Sequence, residues 1–196
     1  MTLAKLADLD TRAFYWINHL PHGRIFDWAT RILHCATYAG LIYYPFLVGF
    51  WLTRDYNYQL LAKLGLFSGI LTYIITDLVL KNITGRLRPY KVLGRAICIR
   101  PAPGDYSFPS GQAGTAFTVA TLYFLIFPEG SGGYLLLLFG AAVLLNRVYM
   151  GHHYPSEVFA GAAVGCVCSV FVFEYQQIFL KIISSSWQMI GPFFTG

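Results

Sequence analysis

Charge is scarce in this chain. Only 12% of its 196 residues are Asp, Glu, Lys or Arg, roughly half the share of an ordinary soluble domain. By contrast 56% are hydrophobic and 17% aromatic, and the mean hydropathy is +0.54. That deficit excludes a soluble globular protein, because the apolar residues come in runs of the length a bilayer core demands of a helix. Cysteine is equally uninformative as a framework. Cys35, Cys98, Cys166 and Cys168 show no CxxC and no metal-ligand spacing, and three of them lie inside apolar runs, which excludes a disulfide scaffold. No carboxylate cluster is present for Mg²⁺, so neither a metal nor another cofactor is expected. The first twelve residues carry Lys5, Asp8, Asp10 and Arg12 and so lack the apolar core of a cleavable signal; the first spanning segment is expected to direct insertion. There is no internal repeat and no low-complexity segment.

What is present reads as one all-α polytopic membrane bundle over residues 1–196, with its motif region at 81–157. About five transmembrane helices are expected. Residues 3–20 make an amphipathic helix with a broken apolar stripe (Leu3, Leu6, Leu9, Phe14, Ile17), too polar to span and suited to the interface. The first span falls within 28–53, since no Asp, Glu, Lys or Arg occurs from Ile32 to Thr53; Pro45 is expected to kink it. The second runs from about Leu61 to Ile83, the third from Ser110 to Phe127, the fourth from Gly132 to Met150, and the fifth from Pro155 toward Leu180. Gly161 and Gly165 form a GxxxG, read as a close helix packing site ahead of a dimer contact.

The polar residues concentrate in two loops. Six of the 14 basic residues, Lys81, Arg86, Arg88, Lys91, Arg95 and Arg100, lie in a stretch with no acid between its ends. On charge alone this is equally a solvated loop. Nucleic acid is not expected as a partner, because the cations sit in one inter-helix loop. Asp77 precedes Lys81 by four residues, the favourable order for an ion pair on one helix face. The same loop ends at Pro109-Ser110-Gly111, where a polar turn opens a helix and offers unpaired N–H groups to an anion. Helices three and four then cross twice, so the segment from Asn146 to Glu157 returns to the same face. Counting crossings thus gathers Lys81, Arg88, Ser110, Gly111, Arg147, His153 and Glu157 at one end.

That inventory suits phosphate. Arginines donate paired N–H bonds to phosphoryl oxygens and lysine adds a point charge. His153 alone reads as a loop histidine beside a helix cap. With Arg147 six residues before it and Glu157 four after, it reads as a nucleophile whose tautomer Glu157 fixes. His152 is read as spare.

Together, Lys81-x6-Arg88-Pro89, Pro109-Ser110-Gly111 and Arg147-x5-His153 resemble the three signature motifs of the type 2 phosphatidic acid phosphatase superfamily, in its membrane-embedded lipid phosphatase branch. The resemblance implies a metal-independent hydrolase. His153 would form a phosphohistidine, with Lys81, Arg88, Ser110, Gly111 and Arg147 holding the phosphoryl oxygens. It implies a lipid phosphate substrate (phospholipid, isoprenyl diphosphate or lipid A class) and an active site on the extracytoplasmic face of a membrane, here a bacterial inner membrane. Three positions depart from the pattern. Glu157 stands where the family has aspartate and Asn146 where it has serine; both can do the same job. Gln112 replaces the histidine that would protonate the leaving oxygen, and glutamine has no proton to give near neutral pH. An impaired or deliberately inactivated phosphatase is therefore expected, with a lipid phosphotransferase and a non-hydrolytic lipid-phosphate binder as the alternatives.

Overall fold

A computed structural model describes residues 3–38, 41–100 and 106–190. Asp105 and the extreme tail therefore lie outside it. The described residues are helical and contain no strand. In chain order the helices are α1 Leu3–Asn18, α2 Arg24–Thr37, α3 Tyr43–Trp51, α4 Tyr56–Tyr73, α5 Lys81–Thr84, α6 Pro89–Val92, α7 Gly111–Ile126, α8 Gly132–Tyr149, α9 Pro155–Glu174 and α10 Gln176–Ile190. A π-helical stretch, Ile74–Leu80, joins α4 to α5.

Among the described residues three units are long and apolar enough to cross a membrane: Tyr56–Val92, Gly132–Tyr149 and Pro155–Glu174. The apolar α7, at 16 residues, is shorter. The expected first span over 28–53 is not one helix. α2 and α3 divide it, and Pro45 sits in the first turn of α3, where its missing N–H costs nothing, so it helps start a helix. α2 also turns polar groups inward, with Thr30 and His34 both buried. The fifth helix likewise ends earlier than expected, at Glu174, and the chain restarts as α10.

α1 is docked on the bundle end and does not simply lie along an interface. Phe14 is fully buried in a cluster with Ala113, Leu144, Val148, Tyr154, Val158 and Ala162. Asn18 bridges two loops: its Nδ2 donates to the carbonyls of Ile97 and Tyr149, both at 2.9 Å, and its Oδ1 accepts from Ile97 N at 2.8 Å. Asp10 caps the start of α9, accepting from Ser156 N at 2.9 Å.

The GxxxG is a packing site. A Cβ on Gly161 would meet the backbone carbonyl of Ser110, and one on Gly165 that of Gly114. α7 and α9 therefore approach backbone to backbone, as small residues permit in membrane helices. Hydroxyls fasten the crossing. Thr118 Oγ1 lies 2.9 Å from Thr72 Oγ1, and Ser169 Oγ donates to Thr118 O at 3.0 Å and Gly165 O at 2.8 Å. The depth of the bundle is otherwise apolar, with Leu60, Leu61, Leu64, Leu122 and Val172 closing the end away from the basic loop.

Candidate active site

The site is assembled where α5, α7, α8 and α9 meet. Lys81 is delivered by the last turn of the α4 unit, which Gly85 ends in a left-handed conformation at φ 58°. Its Nζ pairs with Asp77 as expected. Asp77 also accepts from Thr76 Oγ1 at 2.7 Å. The π turn re-aims this segment, a device common at functional sites. Gly111 packs directly against Asp77: a Cβ there would collide with the carboxylate. Gly111→Ala is accordingly expected to push Asp77 off Lys81 and lower turnover by about 10²-fold through misplacement of the cation, while detergent-solubilised protein keeps most of its thermal stability. Unchanged kcat would show that Lys81 needs no such anchor.

Ser110 is fully buried and its N–H donates to the Glu157 carbonyl at 3.1 Å, locking the start of α7 to the first turn of α9. Its hydroxyl is a buried donor with no partner. A buried polar atom without a partner costs free energy, and a phosphoryl oxygen would relieve it.

His153 is 3% exposed. Its Nδ1 faces two acceptors, Ser107 O at 2.7 Å and Glu157 Oε2 at 3.3 Å. That nitrogen therefore carries the proton, and Nε2 keeps its lone pair. Arg88 Nη1 lies 3.1 Å from Nε2 and donates to it, and also to the His152 carbonyl at 3.2 Å. Burial first, then the charges of Arg88, Arg147 and Lys81, hold the ring well below the usual imidazole range. The histidine is thus neutral, with its nucleophilic nitrogen turned to the cations.

Glu157 reaches His153 but spends more of its capacity elsewhere. Its Oε1 accepts from Ser107 Oγ at 2.6 Å and pairs with Arg86 at 3.2 Å, and Oε2 accepts from Tyr154 N at 3.0 Å. The shorter bond to His153 comes from the backbone of Ser107, a residue with no signal in the sequence. Arg86 belongs to this support and not to the phosphate set. It binds Asp10 at 3.2 Å and lies 4.1 Å over the Tyr154 ring.

Arg147 is 3% exposed and runs between two histidines. Nη1 donates to His34 Nδ1 at 2.5 Å and Nη2 to His152 Nδ1 at 2.7 Å. His152 in turn donates from Nε2 to the Arg100 carbonyl at 2.6 Å. It is not spare: it is fully buried and orients Arg147, and burial, with Arg147 beside it, lowers its pKa and keeps it neutral. Asn146, next in the chain, donates to Thr30 O at 3.3 Å and ties α8 to α2. Gln112 donates from Nε2 to the His34 carbonyl at 3.3 Å, while its Oε1 is buried without a partner. His34 had one available signal, an ionisable residue in an apolar run.

The sequence profile of the PAP2 superfamily matches residues 62–181, which include Lys81, Arg88, Ser110, Arg147 and His153. The chain belongs to the PAP2 superfamily. Among its PAP2 relatives, the undecaprenyl-diphosphatase BcrC of Bacillus subtilis is 24% identical over 171 residues, covering 85% of this chain and 82% of its own. A lipid A 4′-phosphatase of Bacteroides thetaiotaomicron is 24% identical over 180 residues, covering 82% of this chain and 73% of its own. The crystal structure of Aquifex aeolicus LpxE superposes with a TM-score of 0.74 at 26% identity, over 85% of this chain and 96% of that one. By their names, then, PAP2 relatives of this chain act on a lipid phosphate monoester and on a diphosphate.

Proposed function

We propose that this PAP2 protein is an integral membrane phosphatase that hydrolyses a lipid phosphate monoester or diphosphate, without a metal, through a phosphohistidine on His153. The observation that carries the reading is the His153 ring: proton on Nδ1, lone pair on Nε2, and Arg88 3.1 Å from that lone pair. A phosphoryl group drawn to Lys81, Arg88, Arg147 and the Ser110 hydroxyl would present phosphorus to Nε2. The cations then offset charge developing on the phosphoryl oxygens. Attack forms the P–N bond as the P–O bond to the lipid breaks; water cleaves the P–N bond and releases phosphate. Ser107 and Glu157 stabilise the positive charge the ring acquires.

The substrate class is a phosphorylated lipid, since the relatives act on undecaprenyl diphosphate and lipid A and this chain's surface is apolar. The orientation is the one that the resemblance to the lipid phosphatase branch implies, with Arg54, Lys63 and Lys181 toward the end opposite Lys81. The active site then faces the extracytoplasmic side of a bacterial inner membrane. The fold is expected to serve as one domain over residues 1–196.

Gln112 stands at the leaving-group position. It cannot transfer a proton, and general acid–base help is typically worth ~10²–10⁴-fold. If no other side chain gives the proton, Gln112→His raises kcat on lipid monophosphates by ~10-fold or more; a smaller gain means that another group already supplies it. Phosphate release on a panel of phosphatidate, phosphatidylglycerophosphate, an isoprenyl diphosphate and a lipid A phosphate tests this. No release by either form would overturn the phosphatase reading in favour of a binder. A phosphorylated acceptor lipid in place of free phosphate would make the chain a phosphotransferase.

A further inference from the structure

An imidazole stands beside Gln112 even though the motif histidine is absent, and a different helix supplies it. His34 belongs to α2 and is 5% exposed. Its carbonyl accepts from Gln112 Nε2 at 3.3 Å and its ring Nδ1 accepts from Arg147 Nη1 at 2.5 Å. The residue thus meets Gln112, at the leaving-group position, through its backbone carbonyl, and Arg147 through its ring. The His152 ring lies edge-on at 5.4 Å and Tyr38 at 5.9 Å, so His34 sits in an aromatic wall of the site. We infer that His34 is a further catalytic residue, donating the leaving-group proton in place of a histidine at 112. This rests on the phosphatase reading above.

The chemistry follows from the bond to Arg147. While Nδ1 accepts from that guanidinium, the neutral ring carries its one proton on Nε2. An incoming phosphate competes for the same N–H, and charge-assisted bonds from arginine to phosphate are the stronger kind. Before phosphate binds, burial, then the charges of Arg147, Arg100 and Arg88, hold the ring's pKa down to about 4. Once Arg147 turns to the phosphoryl oxygen, Nδ1 is released, and a dianion in contact favours a ring that has taken up a second proton from solvent. As His153 Nε2 forms its bond to phosphorus and the P–O bond to the lipid breaks, imidazolium His34 gives a proton to the departing alkoxide, which leaves as an alcohol. Neutral His34 then takes a proton from the water whose oxygen attacks the phosphohistidine. The P–N bond breaks, inorganic phosphate leaves with the water oxygen, His153 is neutral again, and His34 returns its second proton to solvent as Arg147 comes back to Nδ1. Gln112 keeps a place in this scheme, because its bond to the His34 carbonyl fixes where α2 lies against α7.

The test compares two esters. The alkoxide of phosphatidate is a poor leaving group and needs a proton; the p-nitrophenolate of p-nitrophenyl phosphate does not. His34→Gln is expected to slow phosphohistidine formation, read in a single turnover, at least ~10-fold more with phosphatidate than with p-nitrophenyl phosphate, while the later hydrolysis of the phosphohistidine slows equally for both. Phosphohistidine formed from p-nitrophenyl phosphate shows that the variant is folded. Adding Gln112→His to His34→Gln is expected to restore phosphatidate hydrolysis, because either imidazole then serves. Equal slowing of phosphohistidine formation from both esters would reduce His34 to a positioning residue for Arg147 and overturn the inference, as would no slowing with either, or a double variant no faster than His34→Gln. If the wild type and Gln112→His cleave neither ester nor any member of the lipid panel, the phosphatase reading fails and the inference with it. If the wild type cleaves lipid diphosphates only, the phosphatase reading stands and the inference fails.

Discussion

His153→Asn is expected to reduce lipid phosphate hydrolysis by at least ~10⁴-fold while leaving phosphate binding nearly intact. Asparagine places an amide nitrogen near the position of Nδ1, so the bond to Ser107 O, now 2.7 Å, is kept. What vanishes is Nε2, the nitrogen that faces Arg88 at 3.1 Å. The loss is large because the remaining residues act as a unit around that atom: cations, serine hydroxyl and carboxylate all serve a P–N bond that can no longer form. Measured by phosphate release, the variant should be silent. Measured by binding of a lipid phosphonate, it should resemble the parent, because Lys81, Arg88, Ser110 and Arg147 are untouched. A rapid alkaline SDS quench of the parent with ³²P-labelled substrate should leave protein-bound phosphate, stable to base and labile to acid, that the variant lacks. Turnover at the parental rate would remove His153 from the chemistry.

The second large effect is expected at Gly161. A Cβ there would press on the Ser110 carbonyl, with the Ser110 carbonyl carbon at 3.0 Å and its nitrogen at 3.2 Å. Backbone cannot swing aside as a side chain can, and that carbonyl also accepts the first hydrogen bond of α7, from Gly114 N at 3.1 Å. Gly161→Ala should therefore force α7 and α9 apart at the catalytic end, at a cost of ~1–3 kcal/mol in stability. It should also move the Ser110 hydroxyl off the phosphate and lower kcat by about 10²-fold. Gly69→Ala is the control. That glycine is also helical and buried, yet a Cβ on it would meet nothing within 4 Å, so alanine there should be neutral or stabilising by up to about 1 kcal/mol. Thermal unfolding in detergent and phosphate release separate the two variants. Equal behaviour would show that the α7–α9 crossing yields more readily than its geometry implies.

Much of the site was legible in the sequence for one physical reason. Helices of fixed rise, alternating with loops, return the chain to the same face at predictable intervals. Counting crossings was enough to gather Lys81, Ser110, Arg147 and His153, and the Asp77–Lys81 pair followed from helical spacing within a few residues. Groups placed by packing between segments distant in sequence carried no such signal. Ser107 supports His153 through a backbone carbonyl, which any residue type presents. Arg86 stood in the basic run like its neighbours, and only its contacts with Asp10 and Glu157 take it out of the phosphate set. α2 and α3 replaced an expected single span because apolarity alone cannot tell a helix that crosses a membrane from two that dock on a bundle.

The amino-acid sequence by itself determined the membrane character, the helical class, the motif residues and the gap left at Gln112. Each of these is a local property: composition over a run, spacing within a turn, or the chemistry of one side chain. The tertiary structure alone decided the partners of those residues. It showed that Glu157 serves Ser107 and Arg86 as much as His153, that His152 and His34 hold Arg147 between them, and that α2 meets Gln112 through the His34 carbonyl, 78 residues away. Those contacts depend on how helices far apart in the chain pack, and no local pattern encodes that packing.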